Sequence, residues 1–234
     1  SAFSIQKPGS RDHPYDYTFQ SLVRDAGGIA SVHKFAHVFV NGEDWGIMDI
    51  EEHMSKELLE KQNRKESVIV RFANEEIWLY TLKSKKPYLS DRYRVSNPFI
   101  FLHLYNKKSL KNAHNRKMYS YILKNRLSNN NIYDIDSFSK ALILSLVWNN
   151  MHTLQDYNSR YYFNPYTLKL EPITTDQQGW SEIQDDNYLT GEYIRILSNK
   201  KFIEHLPMNL EIVNKTVSNI DKHLSYLQSL FPVD

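Results

Sequence analysis

The chain contains no cysteine. Disulfide frameworks, thiolate nucleophiles and cysteine-ligated zinc are therefore excluded. Glycine is scarce, at 7 of 234 residues. No G-x-G-x-x-G and no G-x-x-x-x-G-K-[ST] occurs, so neither a Rossmann nor a P-loop nucleotide site is expected and any nucleotide must be held by other means. Net charge is small, with 29 basic against 27 acidic residues and a balance of +2. A nucleic-acid binder usually shows a larger basic excess or one basic stripe. The basic clusters, residues 83–86 and 107–124, read as solvated surface, and no nucleic-acid partner is expected. No apolar run approaches the roughly 20 residues of a membrane span; the longest, residues 141–148, is far too short. No H-E-x-x-H motif supports a histidine zinc site, and no G-x-S-x-G elbow supports a hydrolase triad.

What is present is a large apolar and aromatic fraction. Hydrophobic residues make up 41%, including 16 Tyr, 11 Phe and 4 Trp. That is enough for one large core or two small lobes. The chain opens at Ser1 with neither Met nor a signal peptide, which reads as an engineered or a processing boundary and leaves open whether a segment lies upstream. The compartment stays open, because a cytosolic or an exported protein can lack cysteine.

The periodicity outlines a mixed α and β chain. Residues 3–6 read as a short strand ended by Pro8-Gly9. Residues 15–25 have helical spacing and stop at Gly27-Gly28. Residues 32–40 lead into a hairpin whose Asn41-Gly42 turn tolerates positive φ. Ser55 is placed to cap a helix over residues 56–62, and residues 68–72 form a further strand. From 81 to 115 the pattern is poor and reads as a connector or insertion. A helix over 116–126 follows. Asp136 is expected to cap a buried helix over 137–148. A second hairpin spans residues 161–173, and one long amphipathic helix covers 208–230. The chain thus divides into an α/β part (1–80), a connector (81–115) and a helix-rich part with one hairpin (116–234).

Two places carry chemistry. Asn158 precedes the second hairpin and Asp176 follows it, so antiparallel pairing sets both at one end. Two oxygen donors there suit Mg²⁺ or Mn²⁺; equally, Asn158 caps a turn and Asp176 starts a loop. At the end of the first hairpin, adjacent Glu51 and Glu52 point to opposite faces. Alternation puts Glu52 on the more apolar face, where a carboxylate needs a purpose or a basic partner. Trp45, Trp78 and Trp180 admit a weaker carbohydrate-binding reading.

These residues also carry a resemblance. The stretch VFVNGEDWGIMDIEEHMSKELLE (38–60) resembles the motif of the spore-coat CotH kinase family, an N-G turn followed by G-V-Y, a Glu and a helix. The stretch NSRYYFNPYTLKLEPITTD (158–176) is similar to that family's second-lobe hairpin, with the pattern N-x-R-x-Y-x-N-P-x-T-x-x-L-E-P-I. The resemblance implies an α+β, two-lobed, protein-kinase-like fold. It implies ATP, with Mg²⁺ or Mn²⁺, in phosphoryl transfer to a hydroxyl acceptor such as a protein. Asn158 and Asp176 match the metal ligands and Glu52 the nucleotide-side Glu. Lys7, Arg11 and Arg71 are the candidates for the phosphate-binding cation. The family's catalytic Asp, in D-x-H-x-x-N, falls here on Thr153, which is no base; Asp156 is the substitute. After the hairpin the family's W-D-x-D keeps one Asp, as Thr175-Asp176-Gln177-Gln178. These departures leave a pseudokinase, a binding module at the cell envelope or surface, as the alternative.

Overall fold

The computed structural model describes residues 3–72, 102–125, 132–154, 158–179 and 197–231. The fold is mixed α and β, with two sheets. Asp156, Trp78 and Trp180 lie outside the described residues.

The first sheet has the order β1-β4-β3 and is antiparallel throughout. Its strands are β1 (Phe3–Gln6), β3 (His33–Val40) and β4 (Glu43–Glu52). The β3–β4 turn is the expected Asn-Gly pair, with φ of 52° at Asn41 and 85° at Gly42. Both are left-handed, as a two-residue hairpin turn requires. A bulge near the turn shifts the register between His37 and Phe39.

The second sheet has the order β2-β8-β7-β5-β6. Here β2 is Ile29–Ala30, β5 Ile69–Phe72, β6 Leu102–Leu104, β7 Arg160–Asn164 and β8 Lys169–Thr174. It draws strands from both sides of the 81–115 connector, and part of that connector, Leu102–Leu104, is itself a strand. The β2–β8 pair is parallel and the rest are antiparallel. On the edge strand β2, the Gln62 side chain imitates a neighbouring strand. Its Oε1 accepts from the Ala30 amide at 3.0 Å and its Nε2 donates to the Ala30 carbonyl at 2.9 Å.

Strand alternation splits the core by sheet face. Val70, Tyr161, Phe163 and Leu170 pack against Phe138, Ala141 and Leu142 of helix α4 (Ile135–Val147) and Ile122 of α3 (Ala113–Asn125). On the opposite face, Ile69, Tyr162 and Ile173 pack with Leu58 and Leu59 of α2 (Lys56–Lys61). Phe19, Leu22 and Val23 of α1 (Tyr15–Asp25) meet Ile143 and Leu144 of α4 and Val213 of α5 (Lys200–Val217). Helix α4 therefore serves two clusters, as its nearly continuous apolar sequence requires. Each Val, Leu, Ile or Phe among them that is fully buried contributes roughly 1.5–3 kcal/mol of burial.

Three helix boundaries differ from expectation. Asp134, not Asp136, caps α4, accepting from the Ser137 amide at 2.9 Å. Asp136 lies in the first turn, paired with Lys201 and His205. Helix α3 begins at Ala113, earlier than the pattern suggests. The tail is two helices, α5 and α6 (Ile220–Leu230), interrupted at Ser218-Asn219. The Ser218 hydroxyl donates to the Lys215 carbonyl at 2.6 Å, the local competition that ends a helix at such residues.

Candidate functional site

The site lies where the end of β8, the end of β4 and the segment after β1 converge. Three sequence features bring them together. Antiparallel pairing of β7 with β8, from Arg160↔Ile173 to Asn164↔Lys169, leaves Asn158 and Asp176 at the same end. Pairing of β1 with β4 sets Ser4 opposite Glu51. Pro8 then starts a 3-10 helix, Pro8–Arg11, that carries Arg11 back over the end of β4.

Arg11 is the centre of the arrangement. One terminal nitrogen pairs with Glu51 Oε2 at 2.9 Å and the other with Asp176 Oδ1 at 2.5 Å. Burial works to lower its pKa, but the Glu51 and Asp176 charges outweigh it and raise the guanidinium further. Glu51 is buried and fully engaged. Its second oxygen accepts from the Thr175 hydroxyl at 3.0 Å, which ties the two sheets together, and Gln6 Nε2 lies 3.3 Å from Oε2.

Asp176 adopts φ 55°, turning the chain sharply after β8. His152 Nε2 stands 3.8 Å from its Oδ2, opposite Arg11. With His152 on one side and Arg11 on the other, and burial opposing them, the Asp176 carboxyl is pulled down to about 2. Asn158 is buried beside it. Its amide nitrogen faces the carbonyls of His152, Thr175 and Asp176 at 3.3–3.5 Å. Its amide oxygen accepts from Arg160 Nη1 at 3.0 Å.

Thr153 is fully buried and structural. Its hydroxyl donates to the Thr175 carbonyl at 2.8 Å and accepts from the Thr175 amide at 2.9 Å. Glu52 faces away from Arg11 and pairs with Lys61 of α2 at 2.7 Å. Lys7 is exposed and lines a separate cavity of about 420 Å³ with Asp44, Trp45 and Met48. Arg71 sits on β5 directly opposite Arg160.

The structure thus brings Asn158, Asp176 and Arg11 together and adds Glu51, while Glu52 and Lys7 are elsewhere. Glu51 could have been found by the same alternation argument: Asp49 and Glu51 are two buried acids on one face of β4. Buried acids need a cation, and Arg11 supplies it.

A second polar cluster adjoins the first. Asp16 of α1 accepts from Gln20 Nε2 at 2.8 Å and from the Gln177 amide, next to Asp176, at 2.9 Å. Its other oxygen lies 3.5 Å from His33 Nε2, and His33 Nδ1 is 2.9 Å from Asp49. Burial pushes the Asp16 carboxyl up to about 6, against the pull of His33, Gln20 and Gln177. Burial alone would lower His33; its bond to Asp49 and the charges of Asp16, Asp49 and Glu51 outweigh that and raise it.

As arranged, these residues do not fit a bound divalent ion. The Asp176 carboxylate is held by Arg11, and the Asn158 oxygen by Arg160. Among the described residues, no group of three His, Asp or Glu is placed to hold a metal. Mg²⁺ or Mn²⁺ would have to compete with Arg11 for Asp176 Oδ1 and with Arg160 for the Asn158 oxygen.

No protein-family model matches the chain, and no curated protein matches it. No helix among the described residues is long and apolar enough to cross a membrane.

Proposed function

We propose that this chain is a CotH-like, kinase-type phosphate-handling protein that binds a nucleotide at Arg11. The supporting observation is the clamp of Arg11 between Glu51 and Asp176. Kinase-type sites position a phosphate-binding cation by pairing it with a Glu, beside the Asp that holds the metal. Arg11 and Glu51 meet that requirement here, in place of Lys7 and Glu52. Under the first reading, ATP phosphates take Arg11, and Asp176 and Asn158 are the groups from which a divalent ion would draw oxygen donors. The protein would then transfer a phosphoryl group to a hydroxyl acceptor, and Asp156 is the residue proposed to orient that hydroxyl.

Two observations favour a second reading, a catalytically impaired binding module. Thr153 stands where the base is needed and is committed to Thr175. Asp176 Oδ1 and the Asn158 amide oxygen are also held by arginines. In this reading the nucleotide or another phosphate binds Arg11 without metal.

Thermal unfolding with ATP, with and without Mg²⁺ or Mn²⁺, separates the readings. At about 100 times Kd, a ligand stabilises by about 2.7 kcal/mol, or roughly 5–11 °C for a chain of this size. A metal-dependent rise lost in Asp176→Ala and in Arg11→Gln supports the kinase. A metal-independent rise lost only in Arg11→Gln supports the binding module. No rise with ATP under any condition refutes the nucleotide site.

A further inference from the structure

Beyond Arg11, the second sheet carries two arginines side by side. The register aligns His103 of β6, Arg71 of β5 and Arg160 of β7 as direct cross-strand partners. Partners in an antiparallel register project from the same face. Arg71 is two residues from Ile69, and Arg160 two from Tyr162, so this is the face that α2 covers further along. Two like charges directly opposite destabilise a sheet. Burial, and then the charge of Arg160, lower the Arg71 guanidinium pKa.

Arg160 is held in place from two sides. Its Nη1 donates to both the backbone and side-chain oxygens of Asn158, at 2.9 and 3.0 Å. Its guanidinium carbon stands 5.6 Å from the centre of the Tyr105 ring. Its Nε is buried and has no hydrogen-bond partner. No carboxylate pairs with Arg160 among the described residues. An oriented guanidinium with an unused buried donor, next to a second guanidinium, matches the fork geometry that binds oxyanions. Buried donors of this kind are normally satisfied, and an anion would satisfy the Arg160 Nε.

We propose that Arg71 and Arg160 form a second anion site, distinct from Arg11, that takes a phosphate or carboxylate group carried by the acceptor. Arg160 is bonded to Asn158, whose amide nitrogen faces the Asp176 carbonyl, so Asn158 links this anion site to the one at Arg11. The acceptor class is then a hydroxyl compound that already bears an acidic group. Assigning the anion to the acceptor rests on the kinase-type reading above; the anion site itself does not.

Inorganic phosphate is the probe, titrated at constant ionic strength and followed by thermal unfolding. The wild-type melting temperature should rise with phosphate and keep rising when Arg11→Gln replaces it. The apparent affinity should fall at least tenfold in Arg71→Gln, with the same loss in Arg160→Gln. Wild type saturated with ATP should still take up phosphate. A phosphate effect absent from wild type, or unchanged in both sheet variants, overturns the site. A phosphate effect abolished by ATP places the two arginines in the nucleotide site and overturns the acceptor assignment. A phosphate effect that needs Arg71, in a protein that shows no ATP response, supports the anion site and removes the acceptor.

Discussion

Replacing Asp16 by Asn should stabilise this protein at neutral pH and leave it nearly unchanged in acid. Asp16 is almost completely buried, and its Oδ2 accepts no hydrogen bond. Its pKa rises from 3.8 to about 6 on folding. A raised carboxyl favours its protonated form in the fold. Its contribution is therefore greatest below the unfolded pKa and is lost as pH rises through about 6. A gap of about two pH units corresponds to roughly 3 kcal/mol at 1.36 kcal/mol per unit. Asn keeps Oδ1 for the Gln20 and Gln177 donors, but it gives up the attraction to His33 and buries an amide that needs an acceptor. Those losses reduce the expected gain to about 1–2 kcal/mol at pH 7.5, or roughly 2–8 °C in Tm. Near pH 4 wild-type Asp16 is itself protonated, and the difference should shrink to a few tenths of a kcal/mol, or about 0.5. Unfolding of both proteins followed from pH 4 to 8 gives the curve directly. A variant less stable than wild type at pH 7.5, or a difference independent of pH, would refute the buried-charge argument.

Two further outcomes follow from local geometry. Gly27 closes α1 at φ 80°, with open space where a Cβ would stand. Gly27→Ala should therefore cost only the left-handed backbone penalty, about 1 kcal/mol, and Gly27→Asn less, as chemical denaturation would show. Arg64 holds buried Glu171 at 2.8 Å, and Asn164 holds its other oxygen at 2.7 Å. Arg64→Met should lose about 3–5 kcal/mol at pH 7 by stranding that charge, and adding Glu171→Gln should recover part of it in the same unfolding assay.

Much of the local structure is legible from residue chemistry. Asn41-Gly42 fixes the first hairpin because both residues accept positive φ. Gly27-Gly28 ends α1, and the apolar run of α4 forces burial on more than one side. Asn158 and Asp176 come together because an antiparallel hairpin has only one open end. The rest depends on contacts that one segment cannot reveal. The choice between Glu51 and Glu52 is set by Gln6, Arg11 and Thr175, which lie 45, 40 and 124 residues away from Glu51 in sequence. Arg160 reads locally as a strand residue in a hairpin; that Arg71 stands opposite it emerges only from the pairing of β5 with β7. The break at Ser218-Asn219 escaped because the heptad-like spacing of Val213, Val217, Ile220 and Leu224 runs through it. Two helices with continuous phase give the same pattern as one.

The Gln62 amide on β2 has a consequence outside the molecule. An edge strand presents unpaired donors and acceptors to any extended chain that drifts past, which is how sheets recruit one another into aggregates. At Ala30 both groups are already taken by a side chain of the same molecule. A strand arriving from another copy meets a saturated position on a strand only two residues long. One glutamine therefore denies the sheet a template for growth on this side.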